Sequence, residues 1–286
     1  MLVKTYKSLF QKELSSLYDA MEIESFFFLI LEQFRNLKRI DLALQPDLEF
    51  SEAEISQWNL VLEQLKQEIP IQYILGKTHF YGLEFQVNPN VLIPRPETEE
   101  LVDWIIKTNS NGNLSTIKII DIGTGSGCIA ISLAKNLPNA SVFALDVSKK
   151  ALEMAQINAL QNETKITFIE NNILETTSFE QQFDVIVSNP PYVRNLEKAE
   201  IKKNVLENEP HLALFVADDD ALLFYRKIAQ IAMKNLQSGG QLYFEINQYF
   251  GKETLDLLFD LGFQNIELRQ DIYGNDRMIS CRKEMF

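Results

Sequence analysis

A glycine-rich turn joins a strand to a helix in IKIIDIGTGSGCIAISLAK, residues 117–135. From this stretch to the carboxyl terminus, strand-like and helix-like patterns alternate along the chain. The strands are predicted at residues 117–121, 141–145, 165–169, 183–188, 240–246, 263–269 and 277–282. Such alternation is typical of an α/β fold, in which helices cover both faces of a parallel-type sheet.

The chain ahead of this sheet has a different pattern. Residues 1–76 show helical spacing of apolar side chains and contain no glycine until their last position, so they predict a small helical-bundle domain. Within it, Ser51 and Glu54 have the spacing of a capping box. Alternating residues and turn signals then predict a β-hairpin linker over 77–95, and a helix opened by proline begins the third region, 96–286.

Composition and charge restrict the possible function classes. The 286 residues carry a net charge of −13 and no visible cluster of basic side chains, whereas proteins that grip nucleic acid usually have a basic face. No apolar run approaches the ~18 residues of a membrane span, and the amino terminus lacks the pattern of a secretory signal. We therefore expect a cytoplasmic protein that binds neither membranes nor nucleic acid directly.

Few side chains are available for a metal or a disulfide. The cysteines are Cys128 and Cys281, and the histidines are His79 and His211. Their spacing matches neither a disulfide framework nor a zinc site. The acidic run at 218–220 is interpreted as a helix N-cap rather than a metal site. The sequence therefore predicts chemistry without a metal ion.

The glycine turn is the first candidate binding site. Gly123, Gly125 and Gly127 allow the backbone to approach a ligand closely. Thr124 and Ser126 lie between them. A dinucleotide fingerprint, G-x-G-x-x-G, would need its last glycine one position later than this turn has it. The pattern therefore favours a different nucleotide-like ligand.

Two acids narrow the choice of ligand. Asp121 ends the strand before the turn, and Asp146 ends the next strand, where a carboxylate suits two ribose hydroxyls. A ligand with a ribose and no required phosphate is indicated, and S-adenosylmethionine meets this description. Asp121 would lie near the positive groups of that ligand. These residues resemble the class I methyltransferases, which implies a seven-stranded Rossmann-like sheet whose last strand runs antiparallel.

A second candidate site follows the strand 183–188. Asn189-Pro190-Pro191-Tyr192 is a rigid extended corner, because each proline fixes φ and removes a backbone donor. At the carboxyl edge of an open α/β sheet, this corner lies beside the glycine turn. The Asn189 side-chain oxygen and the Pro190 carbonyl can each accept one N–H of a planar NH₂ group, and Tyr192 offers that group a flat face. The corner therefore predicts methyl transfer to an amide-like nitrogen.

The N-P-P-Y motif alone does not name the acceptor. It resembles the motif of methyltransferases that act on adenine in DNA, guanine in rRNA or glutamine in protein. The rest of the chain is similar to the release-factor glutamine methyltransferases, the PrmC/HemK family, over most of residues 70–286. The similarity lies in QYILGKTHFYGLEFQVNPNVLIPRPETEELV at 72–102, DIGTGSGCIAISLAK at 121–135, EPHLAL at 209–214, GGQLYFEIN at 239–247 and DIYGNDRMI at 271–279.

The resemblance implies N5-methylation of the glutamine in the Gly-Gly-Gln motif of class I peptide release factors. S-adenosylmethionine would be the donor and S-adenosylhomocysteine the product, and the helical domain would dock the release factor. Asn172 and Ile173 would hold the adenine, where the family commonly has an acid. Arg95 and Glu97, in IPRPETE, either reach the cofactor side of the sheet or form an ion pair at a helix start.

Two other functions stay open on sequence alone. A nucleic-acid amino-methyltransferase could use the same corner, and a basic channel leading to Tyr192 would identify it. A binding module without catalysis could keep the fold, although the intact Asn189, Asp146 and glycine turn argue against it.

Overall fold

Residues 1–110 and 116–284 are described in a computed structural model of the chain. The polar loop that the sequence predicts at 109–116 lies largely outside these residues. The chain divides into two compact units. One comprises Met1–Gly76 with Lys203–Asn208, and the other Lys77–Lys202 with Glu209–Phe286. Within the described part of the chain, no helix combines the length and the apolarity that crossing a bilayer requires.

The first unit is helical, as predicted. Its helices before Gly76 are α1 (Val3–Leu14), α2 (Ala20–Arg35), α3 (Arg39–Leu44), α4 (Glu52–Lys66) and α5 (Ile71–Leu75). The predicted capping box is confirmed, since the Ser51 hydroxyl accepts from the Glu54 N–H while the Glu54 carboxylate accepts from the Ser51 N–H at 2.8 Å. Trp58 is almost fully buried and contacts the rings of Tyr6 and Phe27, which places an aromatic core at the centre of this unit.

The second unit begins with the predicted hairpin. Strands β1 (Lys77–Phe80) and β2 (Leu83–Gln86) pair antiparallel, and α6 (Pro96–Asn109) then starts with proline at its first position. The remaining α-helices and strands follow in chain order, and among them α9 belongs to the first unit: β3 (Lys118–Ile122), α7 (Cys128–Asn136), β4 (Ser141–Asp146), α8 (Lys149–Gln161), β5 (Ile166–Glu170), β6 (Phe183–Ser188), β7 (Val193–Arg194), α9 (Lys203–Asn208), α10 (His211–Leu214), β8 (Phe215–Val216), α11 (Leu223–Asn235), β9 (Leu236–Glu245), α12 (Gly251–Asp260), β10 (Gln264–Gln270) and β11 (Asp276–Arg282).

All the strands predicted for the main sheet are present. Their ends agree with the prediction within one residue, except that β9 starts at Leu236 instead of residue 240. The earlier start has a tertiary cause, because Leu236 pairs with Phe183 of β6 across an irregularity in the ladder. Hydrophobic periodicity along one strand does not reveal such a pairing.

The sheet has the order β10-β11-β9-β6-β3-β4-β5. The β3–β4, β4–β5, β3–β6 and β6–β9 pairs are parallel, and β11 runs antiparallel to both β9 and β10. This architecture confirms the predicted Rossmann-like sheet with its antiparallel last strand. The chain leaves β3 towards β5 and returns to β6 on the other side of β3, so the strand order reverses at β3. Ligands of open α/β sheets bind at such a point.

The acidic run at 218–220 does not cap a helix. Helix α11 begins at Leu223, and its N-cap residue, Leu222, makes no side-chain capping bond. Asp220 instead pairs with Arg226 at 2.8 Å, and Asp218 accepts from the backbone N–H of Leu196 at 3.0 Å. The N-cap prediction is wrong because these tertiary partners compete for the carboxylates.

One buried amide ties the hairpin to the glycine turn. Asn158, on α8, is fully buried. Its Oδ1 accepts from the Gln86 N–H at 2.7 Å, and its Nδ2 donates to the Gln86 carbonyl at 3.0 Å and to the Ser126 carbonyl at 2.9 Å. The hairpin therefore packs against α8 through specific polar contacts, and its Phe80 and Phe85 join the hydrophobic core of this unit.

Candidate active site

The glycine turn follows β3 and leads into α7. Gly123 and Gly125 have φ values of +77° and +56°, in the left-handed region that side chains disfavour. The N–H groups of Gly123 and Thr124 donate to the Leu145 carbonyl at 2.8 and 3.0 Å, which fastens the turn to the end of β4. The turn thus presents its backbone, free of side chains, at the carboxyl edge of the sheet.

Gly127 has a different reason to be glycine. It has a φ of +83° at the start of α7, and an added Cβ would lie 2.9 Å from the Ile131 Cδ1 and 3.1 Å from the Ala155 Cβ. Ala155 belongs to α8, so Gly127 allows α7 and α8 to pack closely. Glycine is therefore required at position 127 for the packing of the two helices.

Asp121 is a fully buried carboxylate beneath the turn. Its Oδ2 accepts from the Thr124 hydroxyl at 2.6 Å, whereas its Oδ1 has no hydrogen-bond partner in the part of the chain that the structure describes. Burial raises the pKa of Asp121 to about 7, whereas the bond from Thr124 and a weaker contact from the Ala130 backbone N–H oppose this rise. A buried acid with an unsatisfied oxygen suits a site that receives a positively charged ligand.

Asp146 ends β4 at the other side of the turn. Its Oδ2 accepts from the Gly125 N–H and its Oδ1 from the Ser148 N–H, each at 2.9 Å. Burial raises its pKa, and these two backbone bonds oppose the rise. Since each carboxylate oxygen can accept more than one hydrogen bond, both can still accept from a ligand's hydroxyl groups.

The N-P-P-Y corner follows β6, the neighbour of β3. The Ser188 hydroxyl donates to the Ile122 carbonyl at 2.6 Å, which joins the two strand ends. The Asn189 Nδ2 lies 3.4 Å from the Thr98 Oγ1, and the Tyr192 hydroxyl donates to the Glu245 Oε1 at 3.2 Å. The corner is therefore anchored to other elements through both its amide and its aromatic residue.

A cavity of about 250 Å³ joins the two candidate sites. The predicted site residues that line it are Gly123, Gly125, Asp146, Asn172, Ile173, Asn189, Pro190 and Pro191. Five other predicted site residues do not line the cavity, although each lies within two positions of a residue that does. They are Asp121, Thr124, Ser126, Gly127 and Tyr192. The sheet thus brings the glycine turn and the corner to one space.

The remaining predicted residues have defined positions. Asn172 forms a local turn, since its Oδ1 accepts from the Leu174 N–H and its Nδ2 donates to Glu175. Arg95 pairs with the buried Glu209 at 2.5 Å. Glu97 lies in the first turn of α6. Arg95 thus forms an ion pair with an acid more than a hundred positions away, and the predicted cofactor-side role of Arg95 and Glu97 stays a prediction.

The comparison with known proteins decides the family. The chain is 66% identical over 280 residues to the release factor glutamine methyltransferase of Flavobacterium psychrophilum, covering 98% of both chains. The chain belongs to the release factor glutamine methyltransferase family. The corresponding protein of Bacteroides thetaiotaomicron is 40% identical, with 96% of this chain and 97% of the relative covered. Residues 13–76 match the PrmC N-terminal domain, and residues 105–214 match the methyltransferase small domain.

Solved structures support the fold. A methyltransferase from Pyrococcus furiosus has a TM-score of 0.52 and 19% identity, covering 72% of this chain and 91% of that one. The T. thermophilus 16S rRNA N2 G1207 methyltransferase, in complex with AdoMet and guanosine, has a TM-score of 0.53 and 17% identity, covering 73% and 50%. At these identities the likeness shows a shared fold.

Two buried residues in contact with the corner had no role in the sequence interpretation. Thr98 belongs to IPRPETE, and Glu245 belongs to GGQLYFEIN. Both are buried, and the Thr98 hydroxyl donates to the Glu245 Oε2 at 2.6 Å. Glu245 ends β9 at the same sheet edge as Asp121 and Asp146. The rule that acids at strand ends serve the site would have singled it out.

Proposed function

We propose that this protein transfers a methyl group from S-adenosylmethionine to the side-chain amide nitrogen of the glutamine in the Gly-Gly-Gln motif of class I peptide chain release factors. Such methylation would modulate translation termination. The observation that carries the proposal is that the glycine turn, Asp146 and the Asn189 corner line one shared cavity. The choice of the acceptor follows from the relatives, which carry the name release factor glutamine methyltransferase.

The residues around the glycine turn fit S-adenosylmethionine. Asp146 would accept from the ribose hydroxyls, and Asn172 with Ile173 would hold the adenine. The negative charge of Asp121 would favour the ligand's positive groups, although its carboxylate lies behind the cavity wall. When bound, the cofactor supplies an electrophilic methyl group on a positively charged sulfur. S-adenosylhomocysteine is the product, and no metal ion is required.

The corner would hold the acceptor amide. An amide nitrogen is a poor nucleophile because its lone pair is delocalised into the carbonyl. The Asn189 Oδ1 and the Pro190 carbonyl would each accept one N–H, which orients the nitrogen and stabilises the positive charge that develops on it. The prolines hold both acceptors still, and the Tyr192 ring, next to the cavity lining in the chain, would offer the planar group a flat face. No strong base is needed, since methyl transfer makes the nitrogen acidic and its proton can pass to water.

The partner and the location follow from the same proposal. The helical unit, Met1–Gly76 with Lys203–Asn208, would dock the release factor. The net charge of −13 is compatible with a protein substrate and less so with nucleic acid. We place the reaction in the cytoplasm, without a membrane or nucleic-acid partner.

The decisive test uses S-adenosylmethionine with a labelled methyl group. We expect label to appear in an intact class I release factor and to be lost when the glutamine of Gly-Gly-Gln is changed to alanine. Ribosomal RNA and duplex DNA of matched concentration serve as alternative acceptors. Label on RNA or DNA, or equal label on the alanine variant, would overturn the proposal.

A further inference from the structure

Three elements meet behind the N-P-P-Y corner. Thr98 lies in the first turn of α6, Glu245 is the last residue of β9, and Asn189 follows β6. Thr98 is 3% exposed and Glu245 is 1% exposed. The Thr98 hydroxyl donates to the Glu245 Oε2 at 2.6 Å, and the Asn189 Nδ2 lies 3.4 Å from the Thr98 Oγ1. These contacts form a chain of polar groups from a buried carboxylate to the corner.

The chemistry of this chain sets its direction. Both Glu245 oxygens accept from hydroxyl groups, Oε2 from Thr98 and Oε1 from Tyr192, and a threonine hydroxyl has a single proton to donate. Because that proton points to Glu245, the Thr98 oxygen is left as an acceptor towards Asn189. Only the NH₂ end of the Asn189 amide can satisfy it. The Asn189 Oδ1 is therefore turned away from Thr98, where it can accept from an acceptor amide.

The two ends of an asparagine amide have nearly the same shape, so packing does not distinguish them. A flipped Asn189 would present N–H groups to the NH₂ of the acceptor and an oxygen to the Thr98 oxygen. Both contacts would be repulsive. Hydrogen bonding through Thr98 therefore selects the productive orientation.

The surroundings of Glu245 support its role. Burial raises the pKa of Glu245 and the neighbouring charge of Glu97 adds to the rise, whereas the hydroxyls of Thr98 and Tyr192 and the positive charge of Arg277 limit it. The Arg277 side chain is 16% exposed and also pairs with Asp271 at 3.1 Å. The second oxygen of Glu245 accepts from the Tyr192 hydroxyl at 3.2 Å. One carboxylate thus holds both the amide and the ring of the corner.

We propose that Glu245 and Thr98 are positioning residues, which fix the orientation of the Asn189 amide so that its oxygen faces the methyl acceptor. The proposal rests on the function proposed above and adds a requirement to it. Neither residue needs to touch the substrate, since each acts through Asn189 or Tyr192.

A matched pair of substitutions at Thr98 tests this role. Thr98→Ser keeps the hydroxyl, whereas Thr98→Val keeps the shape and removes it. We expect kcat on release factor to stay within about threefold of the wild type for serine and to fall roughly 10- to 100-fold for valine, through misplacement of the acceptor. The S-adenosylmethionine affinity, measured by calorimetry, should agree between the two variants. Equal kcat values for serine and valine would overturn the proposal.

A double-substitution cycle tests whether Thr98 acts through Asn189. In an Asn189→Ala background, Thr98→Val should lower the residual rate by less than about twofold, because the amide it orients is gone. A full additional loss in that background would assign Thr98 another role and refute the positioning role.

Glu245→Gln provides an independent variant if Thr98→Val folds poorly. Glutamine keeps the size of the side chain but can either donate or accept, so it no longer dictates the direction of the Thr98 hydroxyl. We expect kcat to fall at least about fivefold with unchanged cofactor affinity, and an unchanged kcat would contradict the proposal. Failure of the proposed function itself would look different, since the wild-type chain would then not label release factor at all.

Discussion

At the scale of single residues, the candidate site depends on carboxylates whose surroundings differ. Asp121 is fully buried with one unsatisfied oxygen, whereas Asp146 lies at the cavity wall with a backbone N–H on each oxygen. We therefore expect the first to act on a ligand through its charge and the second through direct hydrogen bonds. Glu245, which is buried like Asp121, accepts instead from the hydroxyls of Thr98 and Tyr192.

The raised pKa of Asp121 predicts a pH-dependent affinity for the cofactor. With a pKa of about 7, the carboxyl is mostly neutral below that pH and ionised above it. A positively charged ligand prefers the ionised form, so wild-type affinity should rise relative to Asp121→Asn as the pH passes upward through about 7. Calorimetry of both proteins between about pH 6 and pH 8 measures this ratio. A ratio that stays constant across the range would exclude a charge role for Asp121.

The corner predicts that Asn189→Asp separates binding from chemistry. Aspartate has the shape of asparagine but lacks the NH₂ group that faces Thr98, and it adds a negative charge near the methyl donor. We expect cofactor affinity to be kept or increased, while kcat on release factor falls by more than ~10²-fold, as after loss of one preorganised polar group. Calorimetry and labelled methyl transfer check the two parts. Near-normal turnover would mean that Asn189 only shapes the turn.

At the scale of elements, Asn158 of α8 links the glycine turn to the hairpin by hydrogen bonds. Asn158 makes its hydrogen bonds in a fully buried position, whereas Gln161 reaches the hairpin from an exposed position near the end of the same helix. The two side chains therefore offer a matched comparison of buried and exposed polar contacts.

Asn158→Ala should destabilise the protein far more than Gln161→Ala. The first change leaves the Ser126 carbonyl buried without its partner and removes both bonds to Gln86, a loss of roughly 2–4 kcal/mol in the free energy of unfolding. The second removes solvent-exposed bonds to the hairpin and should cost less than about 0.5 kcal/mol. Urea unfolding of both variants measures the difference. Equal losses would show that the hairpin does not depend on the buried amide.

At the scale of the whole molecule, the chain forms two units, and each unit combines two separate segments of the sequence. The segment Lys203–Asn208 belongs with the helical unit, where Lys203 pairs with Glu68 at 2.9 Å and the Asn208 Nδ2 donates to the Glu68 carbonyl at 3.4 Å. The residues that line the cavity all belong to the other unit. Cofactor binding and docking of the substrate are therefore separable in principle.

A protein that starts at Lys77 should keep cofactor binding and lose efficiency on intact release factor. The glycine turn, Asp146 and Asn189 all lie in the part that remains. We expect unchanged S-adenosylmethionine affinity by calorimetry and a kcat/KM on the full factor reduced by at least about tenfold, since the docking contacts are gone. A short Gly-Gly-Gln peptide is the control, because both proteins should methylate it equally. Equal kcat/KM on the intact factor would rule out docking by the helical unit.

The sequence by itself determined the elements and the two motifs, because their causes are local. Periodicity predicts the strand ends to within one residue, apart from the start of β9. Three glycines imply a turn with positive φ, and two prolines make a rigid corner wherever they occur. The tertiary structure alone decided which distant groups meet: Thr98 with Glu245, Asn158 with Gln86, and the segment Lys203–Asn208 with the helices. The partners in these contacts are separated by several tens to well over a hundred positions in the sequence. No periodicity or motif within a single sequence indicates which distant residues will pair. The corner's residues could therefore be named in advance, whereas the contact by which Glu245 reaches the corner's amide through Thr98 could be found only in the folded chain.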